Sequence, residues 1–302
     1  MKIYCVSKES KESIVWLFGS GLIGGSINRI LKINNFYESS NVDIPWGDLD
    51  KVNVTTKEII KNTMALSRGK SKVKVVIVWT AGGAGFYSNT EDTVDEYLFF
   101  QKLVDILTIE SSIFLFNFIF FSSAGALYEG RIGISYDTDT CVKRPYGKLK
   151  IKQEKYLKLN KKISLLILRP SSVYGFIDSK ISRSSLISTV VYNALSNRLS
   201  TLYGNLYTLR NYIWVEDVAN FVLSKILNFE SGMCILAGSK SYSIIEVKKE
   251  IEKAVRKKVY FKISTLMDNE SDIVFSNNIS LLGHMNTTVS EGVHKIMEKW
   301  TR

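Results

Sequence analysis

The chain has 302 residues, 45% of them hydrophobic and 23% charged, a balance that excludes disorder as the main state and allows one large α/β domain or two small lobes. The net charge is +11, and much of it falls in residues 143–162 and 248–262, which both read as lysine-rich helices with solvated faces. Such a charge suits an anionic substrate. Without a recognisable nucleic-acid module it predicts no nucleic-acid partner.

Cys5, Cys141 and Cys234 are far apart, there is no CxxC, and the histidines are only His284 and His294. Neither disulfides nor a metal site are expected. The apolar runs at 14–27 and 113–121 are too short to span a bilayer, so no membrane insertion and a cytoplasmic location are expected.

In chain order, the apolar run 14–18 predicts a strand, and Gly19-Ser-Gly21-Leu22-Ile23-Gly24 follows at once. Ile23, Ile27, Ile30 and Leu31 then recur at helical spacing. This strand, glycine loop and helix is the order that a dinucleotide fold requires. Gly19 would make the tight turn, Gly21 would let a pyrophosphate approach, and Gly24 would let helix pack on strand, with the phosphates at the helix N-terminus. Leu22 and Ile23 complete this candidate cofactor-binding stretch. A second strand is expected within 41–46, and Asp43 and Asp48 are the candidates to hold an adenine-ribose hydroxyl. No arginine follows to announce a 2′-phosphate, and NAD and NADP both remain open.

Residues 73–79 predict the next strand, ending in the small residues of Thr80-Ala81-Gly82-Gly-Ala-Gly85. Ser88 and Glu91 read as a capping box for a helix to about 107. Residues 118–121 read as a buried strand that delivers Ser122 and Ser123 to the carboxyl edge of the sheet, for ligand contact or for local turn hydrogen bonds. Pro145 suits the first turn of a helix, on which Tyr146 and Lys150 share one face. A phenol with an ordinary pKa of about 10 exchanges protons near neutrality only if a cation such as Lys150 stabilises its phenolate.

Residues 163–168 form another predicted strand, so alternating strands and helices imply a mostly parallel sheet covered on both faces. Beyond it, helices are expected near 184–195, from Glu216 to about 227, after the Ser243–Glu246 cap, and after the Thr288–Glu291 cap. Short extended segments fall at 201–204 and 233–236.

Five patterns stand in one order: the loop 19–24, Phe121-Ser-Ser-Ala-Gly-Ala-Leu-Tyr128, Tyr146-x-x-x-Lys150, Leu168-Arg-Pro-Ser-Ser-Val-Tyr-Gly175 and Arg210-Asn-Tyr-Ile-Trp-Val-Glu-Asp-Val-Ala219. Together they resemble the extended short-chain dehydrogenase/reductase family of nucleotide-sugar epimerases, dehydratases and ketoreductases. The resemblance implies a Rossmann-like doubly wound α/β sheet. It assigns residues 1–170, with a return segment at about 211–237, to an NAD(P)-binding domain, and 171–302 mainly to a smaller lobe that binds a nucleotide diphosphate sugar. A homodimer is also implied.

Carried over by position, Tyr146 is the implied acid/base, Lys150 lowers its pKa and holds the nicotinamide ribose, and Ser123, or else Ser122, bonds the reacting sugar oxygen. Arg210 contacts the diphosphate. Pro170 and Ser172 lie near the nicotinamide, and Ala81 and Gly82 along the cofactor phosphates. The glycine loop is one residue shorter than the family's usual GxxGxxG, and Ala124 stands where the catalytic hydroxyl most often sits. Ala124-Gly125-Ala126 replaces the dehydratases' Thr-Asp-Glu, which disfavours 4,6-dehydration. The expected function is reduction of a nucleotide-linked 4-keto-6-deoxy sugar at C4 in polysaccharide precursor biosynthesis. The alternatives are a 4-epimerase and a non-catalytic NAD(P)-binding protein.

Overall fold

The computed structural model describes residues 1–8, 11–67, 72–109, 113–176, 185–264, 271–276 and 287–300. A hairpin of β1 (Lys2–Lys8) and β2 (Lys11–Phe18) leads into α1 (Leu22–Ile33), β3 (Tyr37–Asn41), α2 (Val52–Leu66), β4 (Val73–Trp79), α3 (Thr90–Ile109) and β5 (Phe114–Phe121). A short α4 (Ala124–Leu127), β6 (Ile132–Ile134), α5 (Pro145–Leu159) and β7 (Ile163–Pro170) follow. The remainder comprises β8 (Ser172–Tyr174), α6 (Leu186–Leu195), β9 (Ser200–Tyr203), β10 (Leu209–Trp214), α7 (Val215–Asn228), β11 (Gly232–Leu236), β12 (Ser241–Ser243), α8 (Ile244–Val255), β13 (Phe261–Ser264), β14 (Val274–Phe275) and α9 (Val289–Trp300).

The main sheet has the order β11-β7-β5-β4-β2-β1-β3. β11, β7, β5, β4 and β2 are parallel, so the ends of β2, β4, β5 and β7 open on one edge. Near-continuous apolar runs such as Phe114–Phe121 suit strands covered on both faces. One face packs Trp16, Ile77 and Phe118 against α2, α3 and α5, and the other packs Val15, Val78 and Ile119 against α1 and α7. A separate core around Tyr174, Trp214, Val190, Ile251 and Val293 joins β8, β10, α6, α8 and α9. This is a mixed α/β architecture with a parallel-dominated central sheet.

The strand β1 is not foreshadowed by the sequence reading. It runs antiparallel between β2 and β3, with Ile3 opposite Trp16 and Ser40. The first strand after the glycine helix therefore lies one further strand spacing, about 4.8 Å, from the glycine loop. The second strand expected within 41–46 is instead Tyr37–Asn41. As a sheet edge it needs no apolar run, and its burial merely alternates.

Two further expectations are corrected. The helix after residue 88 starts at Thr90: the Asn89 Oδ1 accepts from the Asp92 N–H at 2.8 Å, while Ser88 Oγ accepts from Gly85 N–H. The lysine-rich stretch 248–262 is not one helix, because α8 stops at Arg256 in the left-handed region and Phe261–Ser264 forms β13 beside β9. The expected caps Ser243–Glu246 and Thr288–Glu291 are formed in both directions.

Candidate active site

Gly19 leaves β2 with φ +99°, and a Cβ there would stand 2.6 Å from Thr80 Oγ1. The Thr80 hydroxyl donates to the Phe18 carbonyl at 2.7 Å, tying the ends of β2 and β4 together. At Gly24 a Cβ would lie 2.2 Å from the Gly19 carbonyl oxygen, so helix α1 meets the loop only because no side chain intervenes. Gly21 is the N-cap of α1, without a capping side chain and with open space where a Cβ would point. The first-turn amides, including those of half-buried Leu22 and Ile23, present positive dipole ends with no acidic residue among them. This cradle fits the diphosphate of a dinucleotide.

Pro145 occupies the first turn of α5, and Tyr146 follows, half-buried. One turn on, Lys150 is only 4% exposed, and its Nζ lies 5.6 Å from the Tyr146 ring centre and 5.1 Å from that of Phe120. Burial pushes its pKa down, and the carboxylates of Glu96 and Glu154 oppose that. No hydrogen bond or ion pair reaches this ammonium from the described residues. A buried cation with three donors to place fits the hydroxyls of a ribose. Glu154 is committed elsewhere: the Arg169 guanidinium donates to both its oxygens at 2.9 and 2.6 Å, and to the Tyr128 hydroxyl at 2.7 Å.

Ser123 is half-buried and caps α4, its Oγ accepting from the Ala126 N–H at 3.2 Å, which leaves its own proton to donate. Ser122 is 4% exposed, and its buried Oγ has no partner among the described residues. Ala124 is fully buried. Ala81 is buried and Gly82 exposed at the end of β4, over the carboxylate of Glu96. Pro170 closes β7 beside Leu236, and Ser172 lies in β8 opposite Tyr212.

On the side toward the smaller lobe, Arg210 donates from Nη1 to the carbonyls of Leu209 and Ser271, and burial lowers its pKa against the fields of Tyr212, Asp272 and Glu129. Arg144, directly before Pro145, donates to Glu129 Oε2 at 3.1 Å and lies 4.0 Å over the Phe86 ring. Both guanidinium groups lie in the field of Glu129, and their charge favours an anionic ligand.

Asp48 lies in the connection from β3 to α2, whose Trp46 packs against Trp79 at the end of β4. There Asp48 accepts from the backbone N–H groups of Asp50 and Lys51 and pairs with Lys51 Nζ at 2.8 Å. The bond from Lys51 holds its carboxyl below the usual range. Asp43 is exposed in the same connection. Sequence reasoning missed Glu96, Glu129, Arg144 and the Glu154–Arg169 pair. Only Glu154 carried a signal, one helical turn beyond Lys150. Among the described residues no cluster of His, Cys, Asp and Glu could hold a metal ion, and no helix is long and apolar enough to cross a membrane.

A Methanocaldococcus jannaschii protein provisionally named a UDP-glucose 4-epimerase is 24% identical over 238 residues, 76% of this chain and 78% of that one. The Thermus thermophilus UDP-glucose 4-epimerase in complex with NAD superposes with a TM-score of 0.73 at 17% identity, covering 93% of this chain and 96% of that one. The Thermotoga maritima UDP-glucose 4-epimerase with UDP-glucose gives 0.72 at 17%, covering 95% and 99%. Both structural likenesses show that the chain shares the fold of those proteins. The family model of NAD-dependent epimerases and dehydratases matches residues 19–234, from the first glycine of the loop to the strand beside β7, and the chain belongs to that family.

Proposed function

We propose that the protein is an NAD-dependent nucleotide-sugar 4-epimerase with a UDP-hexose as its substrate class. The observation that carries this reading is the Tyr146–Lys150 pair on successive turns of α5, with the lysine buried and without a hydrogen bond from the described residues. Sequence reasoning ranked reduction of a 4-keto-6-deoxy sugar first, on an association with chain length. The 4-epimerase names of the relatives weigh more, and they support the alternative that the same Ser/Tyr/Lys set allows.

NAD, when bound, supplies the hydride acceptor and donor for C4 of the sugar. Tyr146 takes the C4 hydroxyl proton as the hydride leaves, and gives the proton back when the ketone is reduced again. Lys150 holds positive charge beside the phenolate and would hold the ribose of the bound nicotinamide. Ser123 donates to the same sugar oxygen. Inversion requires the hydride to return to the other face of C4, so Arg210 retains the diphosphate while the sugar turns. Ala124-Gly125-Ala126 offers no acid for eliminating water.

In this reading Gly19, Gly21, Leu22, Ile23, Gly24, Ala81 and Gly82 line the cofactor diphosphate, and Pro170 and Ser172 adjoin the nicotinamide. Asp43 or Asp48 supplies the acid near the adenosine, and NAD rather than NADP is preferred because no arginine follows β3. Residues 1–170 with 211–237 carry the cofactor, and the rest mainly the nucleotide sugar. The protein acts in the cytoplasm as a homodimer.

The test is incubation with UDP-glucose and NAD, analysing sugar nucleotides by chromatography while following cofactor absorbance. UDP-galactose without net change in the cofactor is expected. Stoichiometric loss of NADH with nucleotide-linked 4-keto-6-deoxy sugars would establish the reductase instead. NAD binding without either turnover would favour a non-catalytic role.

A further inference from the structure

The candidate active site uses none of the lysine-rich stretch 248–262. Its first half is in α8, where Lys248 pairs with Glu252 at 2.7 Å and Lys253 with Glu250 at 3.1 Å. Its second half is different. Arg256, Lys257, Lys258 and Lys262 follow the last of those acids and are exposed, as is Arg198 in the turn that leads from α6 into β9. None of these five cations makes an ion pair among the described residues. Neither 193–215 nor 253–264 contains an aspartate or glutamate.

The two segments are joined at several points. Lys257 Nζ donates to the Leu195 carbonyl at 3.3 Å and to Asn197 Oδ1 at 3.0 Å, and the Ser200 N–H donates to the Tyr260 carbonyl at 3.2 Å. From there β13 runs parallel to β9, with Phe261 opposite Ser200 and Lys262 opposite Thr201. Alternation along the strands gives this small sheet two unlike faces. Ser200, Leu202 and Phe261 turn toward the core of the smaller lobe. The opposite face carries Leu199, Thr201, Tyr260 and Lys262, all exposed, with Leu199 and Tyr260 each 64% open to solvent. Bordering it, the Arg198 guanidinium lies 6.0 Å over the Tyr192 ring, whose centre stands 4.6 Å from that of exposed Trp300.

Exposed apolar side chains among unpaired cations mark a surface that meets something, and the combination selects among partners. A second copy of the chain would set cations against cations. A nucleic acid would engage the charges and offer little to the aliphatic Leu199. A bilayer containing anionic lipids answers both, with phosphate headgroups for the cations and the acyl boundary for Leu199 and Tyr260. We propose that this face of β9 and β13 docks the protein, peripherally and reversibly, on an anionic membrane surface. The stems of Lys258 and Lys262 let their ammonium groups stay at headgroup level while the apolar side chains dip below it. Neither signal suffices alone, and together they give an attachment that salt weakens without abolishing. Docking is independent of the reaction, because none of these residues belongs to the candidate active site.

The test is co-sedimentation of the full chain with extruded vesicles, of phosphatidylcholine alone and of phosphatidylcholine mixed with phosphatidylglycerol. Binding to the mixed vesicles and not to the neutral ones is expected, decreasing as salt rises above about 0.1 M. Lys258→Glu with Lys262→Glu should weaken it about tenfold or more, since each basic group beside an anionic surface is worth roughly a fivefold factor. Should that pair lower Tm, Lys258→Gln with Lys262→Gln reads the same loss without the reversal of charge. Leu199→Ser with Tyr260→Ser keeps every charge and should still weaken binding, most visibly at high salt, where the apolar contact is what remains. Equal binding to both vesicle types, binding to neither, or binding to the mixed vesicles that ignores both pairs of changes would overturn the proposal. So would an oligonucleotide that binds more tightly than the mixed vesicles and is indifferent to the Leu199 and Tyr260 changes, which would make this a nucleic-acid surface.

Discussion

At the scale of single residues, the site is built from groups that are costly to bury and are buried nonetheless. An ammonium with 4% exposure and no acceptor among the described residues is a feature that folding alone does not favour. It gains a purpose if Tyr146 must exist transiently as a phenolate next to it. Tyr146→Phe removes the proton carrier but leaves the glycine cradle and Lys150 untouched. It should bind NAD with near wild-type affinity while turnover falls by about 10²- to 10⁴-fold, the usual worth of a general acid/base. Undiminished turnover in steady-state assays would remove Tyr146 from the mechanism. Arg210 lies on β10, a different strand from those that form the glycine cradle, and in the proposed function it holds the diphosphate of the nucleotide sugar. Arg210→Ala should therefore raise the KM for the nucleotide sugar by about tenfold or more, roughly one charge-assisted hydrogen bond, and leave the Kd for NAD unchanged. Equal effects on both ligands would place Arg210 at the wrong end of the site.

At the scale of elements, the position of Tyr146 depends on how closely α5 approaches α4. The residue after it, Gly147, is buried, and a Cβ there would stand 2.6 Å from the Ala126 carbonyl oxygen and 2.9 Å from Val142. In Gly147→Ala the Cβ meets backbone too closely for the contact to survive, so α4 and α5 must move apart. Alanine's helix propensity, about 1 kcal/mol better than glycine's, offsets only part of an overpacking strain of about 1–3 kcal/mol. The expected outcome is a lowered Tm together with a loss in turnover per folded molecule of up to about 10²-fold, since displacement of Tyr146 is felt in the reacting geometry. A large fall in Tm with turnover per folded molecule unchanged would contradict it. This coupling also shows what a sequence can disclose. Pro145, Tyr146 and Lys150 follow local rules of helix initiation and spacing, and the apolar runs of β4, β5 and β7 announce strands covered on both faces, so α5 and the parallel sheet were legible. The strand β1 was not, because the burial of Ile3 and Tyr4 comes from the place of their strand between β2 and β3, a tertiary fact. Glu96 was equally hidden: it reads as one more acid on a helix until the fold brings it beneath Gly82.

At the scale of the whole molecule, α3 and α5 lie side by side on one face of the sheet and keep apolar groups at the surface. Val94 and Leu98, one turn apart on α3, are 44% and 46% exposed, and Leu159 at the end of α5 is 78% exposed. Between the helices, Tyr97 and Tyr156 meet edge to face at 6.4 Å, and the Tyr156 hydroxyl bonds Asp105. These contacts stiffen the pair into one surface, and a rigid surface loses little entropy on docking. The homodimer proposed above would then form when this face meets its own copy about a two-fold axis, so that each exposed leucine is buried in both subunits at once. A stable contact needs about 800 Å² from each partner, an area that two long helices can supply. Placing a charge at the centre of such a face acts twice, once per subunit. The double change Val94→Glu with Leu98→Glu should give a monomer in sedimentation equilibrium at concentrations where the wild type is dimeric. The cradle at Gly19 to Gly24 lies at the edge of the sheet, not on this face, so NAD binding should survive in the monomer. A wild type that sediments as a monomer at high protein concentration would refute the dimer, and a dimer indifferent to both glutamates would move the interface elsewhere.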